Sequence, residues 1–319
     1  MAFPLPLLKL LADGECHSGE SLGEALGISR AGTWKQIQSL RQQGVEVEAV
    51  TGEGYSLPQP LDLLDADRLG KQVCAAYPHT QVLYAPVLGS TNQVLREHIE
   101  QQGLDHPALA LCEFQEQGRG RRGRSWQSGF AQGMLLSVAM RVPCSAVQLG
   151  GLSLACGVEV AKALQELGVP GVSLKWPNDL LIGAQKLGGI LIELSGEAEG
   201  PCDVIVGIGL NVAAAPEGLD LRSLEAAHLP GLSRNQLSLL CIQALLRVLS
   251  DYAHRGFSAW QSDWEGLNAH QGQEVVIKQH QNDIAGICLG VDEQGALRLS
   301  TGAEEQAFFA GDVSLRGAL

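Results

Sequence analysis

The sequence predicts a multidomain α+β protein in three parts, and the distribution of apolar residues carries this prediction. Residues 1–60 hold short apolar runs of helical period that end at glycines. In residues 61–270, apolar strands follow one another through short turns as often as through helices, which favours a mixed, largely antiparallel sheet. Residues 271–319 hold short β-type runs spaced by turns. With 45% apolar and 18% charged residues among 319, the composition is typical of a globular chain.

The first part is predicted to be a helix-turn-helix followed by a two-stranded wing. Leucines at positions 7 to 11 indicate one short helix, and a second covers Gly19–Leu26. Gly27 provides the turn, and Ser29 is a good N-cap for a third helix that ends before Gly44. The next segment, "VEVEAVTGEGYSLP", alternates and turns at "TGEG", as a β-hairpin does. The stretch "PQPLDLL" is then a linker into the middle part.

The third helix is the predicted DNA-reading element. It carries basic residues and no acidic one, whereas the whole chain has a net charge of −13 and repels polyanions. Any contact with DNA is therefore confined to a local basic face. The residues expected to bind DNA are Ser29, Arg30, Lys35, Gln36 and Arg41. A packing module that touches no DNA stays an alternative, because Gly32 lies inside the helix and Trp34 is an unusual residue for a groove.

The spacing of cysteines and histidines argues against a structural metal site. The eight cysteines contain no C-x-x-C pair, and the eight histidines form no H-x-x-x-H or H-E-x-x-H set. We therefore expect reduced, mostly buried thiols and no metal-ligand set in the chain. The leading segment "MAFPLPLLKLLADGE" lacks a basic start and a cleavage site, and no apolar run of about 18 residues occurs. These features predict a cytoplasmic protein that does not contact membranes.

The segment "GRGRRGRSW", residues 118–126, is a basic loop in an acidic chain. Its glycines match the G-x-G-x-x-G pattern of dinucleotide sites. That pattern must open a helix, but the residues that follow, "SWQSGFAQG", have no helical apolar period. No acidic residue ends a second strand about 20 residues later either. A dinucleotide site is therefore not expected.

Four short motifs in the middle part place polar side chains at the ends of predicted elements. "GSTN" sets Ser90 at a helix start, and "KWPND" sets Asn178 and Asp179 in a turn. "QKLGGIL" sets Lys186 ahead of an apolar strand, and "GIGLN" ends a glycine-rich strand at Asn211. Taken singly, each of the first three has an ordinary structural explanation, namely a helix cap, an Asx turn or a solvated strand-end charge. The glycine-rich strand is expected to let a flat ligand lie close to the backbone.

Together, these motifs resemble those of biotin–protein ligases in order and approximate spacing. The matching segments are "GSTN", "EFQEQGRGRRGRSW", "KWPNDLLIGAQKLGGILIEL" and "VGIGLN", and residues 19–58 resemble the DNA-binding domain of the bifunctional members. The resemblance covers nearly the whole chain. It implies a winged helix-turn-helix DNA-binding domain over residues 1–60 and a catalytic biotin- and ATP-binding domain over 61–270, akin to class II aminoacyl-tRNA synthetases. Residues 271–319 would form an SH3-like β-barrel, which the short β segments also favour.

The reaction that this resemblance implies has two steps. The biotin carboxylate attacks the α-phosphorus of ATP, which gives biotinyl-5′-AMP and pyrophosphate. A lysine amine then attacks the activated carbonyl. The resemblance implies that this lysine belongs to the biotin carboxyl carrier protein of acetyl-CoA carboxylase. Because the first step brings anions together, cations and a Mg²⁺ ion held by the substrate phosphates must neutralise the transition state.

The resemblance also implies roles for individual residues. The residues expected to act in catalysis are Lys186, Arg121, Arg124 and Asp179. The three cations would neutralise phosphate charge, and the carboxylate would assist either the incoming amine or the metal ion. The residues expected to bind biotin are Ser90, Thr91, Asn92, Gln115, Gly118, Arg119, Lys186, Gly189 and Leu191. Those expected to bind ATP or the adenylate are Arg121, Arg124, Trp126, Asn178, Asn211 and Arg316.

The resemblance finally implies regulation through the reaction intermediate. Biotinyl-5′-AMP would order the "GRGRRGRSW" loop and promote a homodimer, which would bind operator DNA and repress biotin synthesis genes. Two alternatives stay open at this point. One is a lipoate-type protein ligase, which shares the core chemistry with a different acid. The other is a repressor that senses biotin without catalysis.

Overall fold

The computed structural model describes the amino-terminal part as three helices and a hairpin. Described residues are 3–196, 199–213, 227–278, 283–302, 304–309 and 314–317. In order, the amino-terminal elements are α1 (Leu5–Leu11), α2 (Gly19–Leu26), α3 (Arg30–Gln42), β1 (Glu48–Val50) and β2 (Gly54–Ser56).

Local signals determine where these helices begin and end. Ser18 and Ser29 occupy the N-caps of α2 and α3, and their hydroxyls accept hydrogen bonds from Ser21 N and Gly32 N at 3.0 and 3.2 Å. Gly27 ends α2 in the left-handed region with φ 65°, where a side chain would be strained. The antiparallel pair β1–β2 is the wing. The predicted helix-turn-helix and hairpin are thus confirmed.

The central part is a seven-stranded sheet with helices on both faces. Its elements in chain order are α4 (Ala66–Cys74), β3 (Gln81–Tyr84), β4 (Val87–Leu88), α5 (Thr91–Gln102), β5 (Ala108–Cys112), β6 (Phe114–Gln115), β7 (Gly133–Val142), α6 (Leu152–Glu166), β8 (Val172–Lys175), β9 (Asp179–Ile182), β10 (Gln185–Gly196), β11 (Cys202–Asn211), α7 (Arg234–Arg255) and α8 (Ser258–Leu267). The sheet order is β3-β5-β7-β11-β10-β9-β8. Strand β3 pairs with β5 in parallel and the other neighbours pair antiparallel, which confirms the mixed, largely antiparallel sheet.

Strand alternation divides the core between the two faces of this sheet. Successive side chains of a strand point to opposite faces. On one face, Ala139 of β7 and Ile205 of β11 pack with Leu95 of α5. On the other face, Leu136 and Val138 of β7 join the large core that contains α6 and α7. Helix α5 therefore packs on the face opposite α6 and α7, and its amino end borders the cavity described below.

The carboxyl-terminal part is a five-stranded antiparallel sheet. Its strands are β12 (Glu274–Lys278), β13 (Asp283–Val291), β14 (Leu297–Ser300), β15 (Glu305–Phe308) and β16 (Ser314–Gly317). They pair in the order β15-β14-β13-β12-β16. In the parts of these strands that the structure describes, β15 and β16 are the edges, so closure into an SH3-like barrel stays a prediction.

The segment that joins the first two parts is held by a buried ion pair. Glu113 and Arg234 are almost fully buried, and their carboxylate and guanidinium lie 2.6 Å apart. The linker bonds to both: Leu64 N donates to Glu113 Oε1 at 2.8 Å, and Asp62 O accepts from Arg234 Nη1 at 2.6 Å. Tyr84 also donates its hydroxyl to Glu113. The segment expected to be a simple linker is therefore anchored to the core.

The amino-terminal part also shares a hydrophobic cluster with the segment that follows the basic loop. Phe130 is 7% exposed and packs with Leu7, Leu11 and other residues of the helix-turn-helix. Its ring stacks on that of Phe3, with centroids 5.6 Å apart and planes at 1°. None of the described helices is long and apolar enough to cross a membrane.

Candidate active site

One cavity gathers most of the predicted site residues at the amino end of α5. Its walls are the basic loop, the turn between β8 and β9, the start of β10 and the glycines of β11. The predicted residues that line it are Ser90, Thr91, Asn92, Gln115, Arg119, Arg121, Arg124, Trp126, Asn178, Asp179, Lys186, Gly189 and Leu191.

The inner end of the cavity is polar and neutral. Helix α5 starts at Thr91, so the backbone N–H groups of its first turn are free of helical partners. One of them is used by Gln115, whose Oε1 accepts from Thr91 N at 2.8 Å. The Thr91 hydroxyl oxygen lies 3.2 Å from the same Oε1. This end can therefore exchange hydrogen bonds with a small uncharged polar group.

The outer end of the cavity is strongly cationic. Among the described lining residues, the positively charged ones are Arg119, Arg121, Arg122, Arg124, Lys175 and Lys186, and Asp179 is the carboxylate. Of these cations, Arg119 reaches Glu193 behind the neutral end. Burial lowers the pKa of the Arg121 guanidinium below its usual range, and the charges of Arg122 and Arg124 act in the same direction. Cations that raise one another's energy in this way are stabilised by an anionic ligand. The outer end is thus equipped to bind phosphate or carboxylate groups.

Lys186 and Asp179 form the centre of this cationic end. Lys186 Nζ lies 2.6 Å from Asp179 Oδ1 and 5.9 Å from the centre of the Trp126 ring. The pairing depends on sheet register, because β9 and β10 are antiparallel neighbours with an irregularity between Lys186 and Gly188. Asn178, one residue before Asp179, donates from its amide to Ile190 O at 3.0 Å, and its Oδ1 lies 3.5 Å from Arg121 Nη1.

The basic loop folds back over the cavity through its own backbone. Gly120 N donates to Arg124 O at 2.7 Å, and Trp126 N donates to Gly118 O at 2.8 Å. Residues Arg121–Gly123 form a short 3₁₀ turn, in which Arg122 adopts φ 56°. A side chain at residue 118 would overlap Trp126 O, so Gly118 permits the close approach of the two arms of the loop. Gly118 therefore shapes the loop instead of lining the cavity.

Trp126 covers one wall of the cavity. A Cβ at Gly209 of β11 would lie 2.7 Å from the Trp126 ring, so the indole lies directly on the strand backbone. Its Nε1 is buried and has no hydrogen-bond partner among the described residues. The glycine-rich strand "GIGLN" is expected to let a flat ligand lie close to the backbone, and in the structure the group that lies there is the indole of Trp126.

Two predicted nucleotide-binding residues are not among the described lining residues. Asn211 is at the end of β11, where its Nδ2 donates to Lys186 O at 3.4 Å. Arg316 lies in β16 opposite Val276, and its side chain is outside the described residues. Asn211 can thus support the backbone that carries Lys186.

The predicted DNA-binding residues lie along the outer side of α3. Arg30 and Lys35 are exposed, Gln36 is half-buried, and Ser29 caps the helix. Arg41 is exposed but donates from Nε and Nη2 to Val47 O at 3.0 and 2.7 Å, so it ties α3 to the segment before the wing. Trp34, which argued against a DNA-reading helix, is 54% exposed on the same element.

Sequence reasoning missed several residues around the cavity. Lys175, Gly207 and Gly209 line it, and Ser137 and Glu193 lie behind its wall. Glu193 lies in the apolar strand that follows Lys186, within "GGILIEL". A charge within such a run was the one local signal that could have identified it, since buried carboxylates require partners.

Comparison with known proteins gives matches along the whole chain. The family model described as "Biotin/lipoate A/B protein ligase family" matches residues 84–211, "HTH domain" matches 6–56 and "Biotin protein ligase C terminal domain" matches 270–316. The chain is 40% identical over 320 residues to the bifunctional ligase/repressor BirA of Salmonella typhimurium, covering 99% of this chain and 98% of that protein. It is 31% identical to BirA of Bacillus subtilis, with 95% of each covered.

A solved structure shares this architecture over three quarters of the chain. The biotin protein ligase of Aquifex aeolicus in complex with biotin and ATP superposes with a TM-score of 0.62 and 26% sequence identity. The match covers 75% of this chain and 99% of the Aquifex chain.

Proposed function

Because the chain belongs to the family of bifunctional biotin–protein ligases and repressors, we propose that its cavity forms biotinyl-5′-AMP from biotin and ATP and passes the biotinyl group to a lysine of a carrier protein. The observation that carries this assignment is the division of one cavity into two ends. A neutral polar end at Thr91 and Gln115 adjoins a cationic end that holds Arg121 and Lys186 beside Asn178 and Asp179. Biotin has the matching division between its ureido ring and its carboxylate.

Each end of the cavity would hold one part of the substrates. The ureido ring fits against Ser90, Thr91 and Gln115, with Gly189 and Leu191 at the cavity wall. The valeryl carboxylate then points toward Lys186, which neutralises it as it approaches the α-phosphate. Trp126 covers the nucleotide, and Arg121 and Arg124 bind its phosphates.

Asp179 is suited to two tasks at this reaction centre. Its carboxylate orients Lys186 at 2.6 Å. It also fits a Mg²⁺ ion that is held mainly by ATP phosphates, since Mg²⁺ is commonly bound through one or two carboxylates together with substrate phosphates. When bound, the ion would neutralise phosphate charge. After adenylation, the same carboxylate would accept a proton from the lysine amine of the carrier.

The proposed partners follow from the three parts of the chain. The carrier is the biotin carboxyl carrier protein of acetyl-CoA carboxylase, and the division into residues 1–60, 61–270 and 271–319 separates DNA binding, catalysis and a barrel-like carboxyl-terminal unit. Arg316 would reach the nucleotide from that unit. The helix-turn-helix binds an operator, and the adenylate-bound form acts as a homodimer.

The role of Lys186 is tested by Lys186→Ala. This variant should lose pyrophosphate release with biotin and ATP by about 100-fold or more, because a charge that stabilises the transition state is removed. The fold should persist, since the lysine is 45% exposed and its loss creates no core cavity.

Lys162→Ala is the matched control, because Lys162 is 42% exposed and also pairs with carboxylates, but is not among the residues that line the cavity. It should keep full activity. Near-normal pyrophosphate release in Lys186→Ala would refute the catalytic role of Lys186. Pyrophosphate release by the wild-type protein with lipoate in place of biotin would refute biotin as the specific substrate.

A further inference from the structure

A chain of hydrogen bonds runs behind the neutral end of the cavity. Ser137 of β7 is fully buried, and its hydroxyl oxygen lies 2.7 Å from Thr91 Oγ1 and 2.6 Å from Asn92 Oδ1. Asn92 Nδ2 lies 2.9 Å from Glu193 Oε2 and 3.5 Å from Leu191 O. Thr91 touches the cavity, whereas Ser137 and Glu193 lie behind its lining. The chain thus joins the hydroxyl of a cavity-lining residue to a charge behind the lining.

The chemistry of Glu193 determines which way the Asn92 amide points. A carboxylate and a backbone carbonyl accept hydrogen bonds and do not donate them. The amide nitrogen of Asn92 must therefore face Glu193 and Leu191, and its oxygen must face Ser137. This orientation follows from the partners and not from the placement of amide atoms alone.

The number of hydroxyl protons then determines which group donates in each of the two hydrogen bonds of Ser137. Ser137 has one hydroxyl proton, and Asn92 Oδ1 is only an acceptor, so Ser137 donates to Asn92 across the 2.6 Å contact. The 2.7 Å contact between Ser137 and Thr91 then needs the Thr91 proton. Any other arrangement leaves one of these two short oxygen–oxygen contacts without a proton. Thr91 is consequently a donor to Ser137 and an acceptor toward the cavity.

Gln115 presents a second acceptor at the same place. Its Oε1 must face Thr91, because Thr91 N–H donates to it at 2.8 Å. Since the Thr91 proton is already committed to Ser137, the 3.2 Å contact between Thr91 Oγ1 and Gln115 Oε1 joins two acceptors. Two acceptor oxygens that converge without a proton between them are stabilised by a ligand N–H group.

We propose that Glu193, acting through Asn92 and Ser137, holds the Thr91 hydroxyl as an acceptor, so that the cavity selects a ligand with an N–H donor at this point. The ligand group would be one ureido N–H of biotin, and this identification rests on the proposed function. Ser137, Asn92 and Glu193 are positioning residues for Thr91.

The surroundings of this relay keep it in place. Gly207 of β11 lies opposite Ser137, and a Cβ there would overlap Asn92 Oδ1, so the missing side chain makes room for the amide. Arg96 and Arg119 reach Glu193 with Nη2 atoms at 2.6 and 3.3 Å. The carboxylate is therefore held as an acceptor by two cations. Arg119 belongs to the basic loop, which connects the relay to the segment that covers the cavity.

The test uses Ser137→Ala in the full chain, which removes the middle hydroxyl without touching the ligand. The Thr91 proton is then free to rotate toward Gln115 or toward a ligand acceptor. The probes are biotin and its two cyclic carbamate isosteres, in each of which oxygen replaces one ring N–H. The quantity measured is the ratio of dissociation constants, carbamate over biotin.

The wild-type protein should prefer biotin to one of the two carbamates by about 100-fold, because that isostere places an acceptor against two acceptors. In Ser137→Ala this ratio should fall about tenfold for that isostere and stay unchanged for the other. The KM for biotin should rise while the KM for ATP does not change. A general loss of structure would weaken all three ligands together and would not alter their ratios.

Ser238→Ala is the matched control, since Ser238 is equally buried on α7 and its hydroxyl has no hydrogen-bond partner among the described residues. Its ratios should equal those of the wild type. An unchanged ratio in Ser137→Ala, with biotin still bound by the wild type, would overturn the relay alone. If the wild-type protein binds no biotin, the proposed function is refuted, and so is the assignment of a ureido N–H as the group that Thr91 accepts from.

Discussion

Arg121 illustrates how a single residue links the basic loop to the reaction centre. Its guanidinium lies 3.5 Å from Asn178 Oδ1, and burial lowers its pKa while Arg122 and Arg124 add repulsion. An anionic adenylate relieves that repulsion, so the ligand and the closed loop should stabilise each other. The loop would then retain the reactive intermediate until a carrier arrives.

Replacing Arg121 with Gly should release the adenylate early, because the change removes a phosphate partner and adds backbone freedom. The measurement is biotin labelling of lysines in unrelated bystander proteins, which should increase about tenfold or more. Arg121→Lys keeps the charge and should label bystanders less than the glycine variant. Labelling confined to the carrier in Arg121→Gly would show that the loop does not retain the adenylate.

His270 gives a pH-dependent prediction at the same scale. Burial lowers the pKa of His270 below its usual value of about 6.5, and the positive charge of Lys175 acts in the same direction. The folded protein therefore binds fewer protons at this group than the unfolded chain does. The stability contribution is intact above pH 6.5 and is lost as the pH falls from there through the folded-state pKa.

Urea unfolding at pH 7.5 and pH 5.5, about one unit to either side of that ordinary value, measures this effect. The free energy of unfolding of the wild type should be lower at the acidic pH, and His270→Gln should show a smaller difference. An equal pH dependence in both proteins would assign the acid sensitivity to other groups.

At the scale of elements, the segment after the basic loop joins two units. Phe130 belongs to the hydrophobic cluster of the helix-turn-helix, and Trp126, four residues earlier, covers the cavity. Phe130→Ala should lower the free energy of unfolding of the amino-terminal unit by about 3–5 kcal/mol, the usual cost of a large buried aromatic. It should also weaken adenylate binding, because the anchor of the Trp126 segment is lost.

Phe309→Ala is the control for this element, since Phe309 is 56% exposed. Its effect on stability should stay within about 0.5 kcal/mol. Chemical denaturation measures the free energy of unfolding of the two variants, and a binding assay compares how well each retains the adenylate. Equal stabilities would show that the contact between the two units contributes little.

The element boundaries in the amino-terminal part were predictable because their signals are local. Ser18, Ser29 and Gly27 act on the backbone within three residues, so the helix limits follow from the sequence. The sheet class was predictable for a similar reason, because short turns between apolar strands favour antiparallel pairing. The anchoring of the linker was not predictable, because Arg234 lies 172 residues from Asp62 in the sequence.

At the scale of the whole molecule, the anchored linker restricts how the DNA-binding unit can be presented. The Glu113–Arg234 pair is buried, and removal of one partner from such a pair typically costs about 3–5 kcal/mol. A unit held in this way should act with the core as one body. Two copies in a homodimer would then present two recognition helices at a set spacing.

The adenylate should promote dimer formation and hence operator binding. One α3 helix offers few cations in an acidic chain, so a monomer should bind DNA weakly, and two copies double the phosphate contacts. Sedimentation with and without biotin plus ATP, alongside DNA binding at fixed salt, measures the coupling. Unmodified carrier should reverse both effects by consuming the adenylate. Equal self-association and equal DNA affinity in both states would leave the ligase function without this regulation.

The sequence alone was sufficient for the class of fold and the helix-turn-helix, because caps, turns and alternation act over a few residues. The motifs that surround the cavity were identified through their resemblance to those of biotin–protein ligases. The tertiary structure alone brought Ser137 of β7 and Glu193 of β10 against the start of α5. It also decided that Lys186 faces Asp179 and that Trp126 lies on Gly209. Such contacts depend on strand register and helix packing, in which a shift of one residue turns every side chain to the opposite face of the sheet.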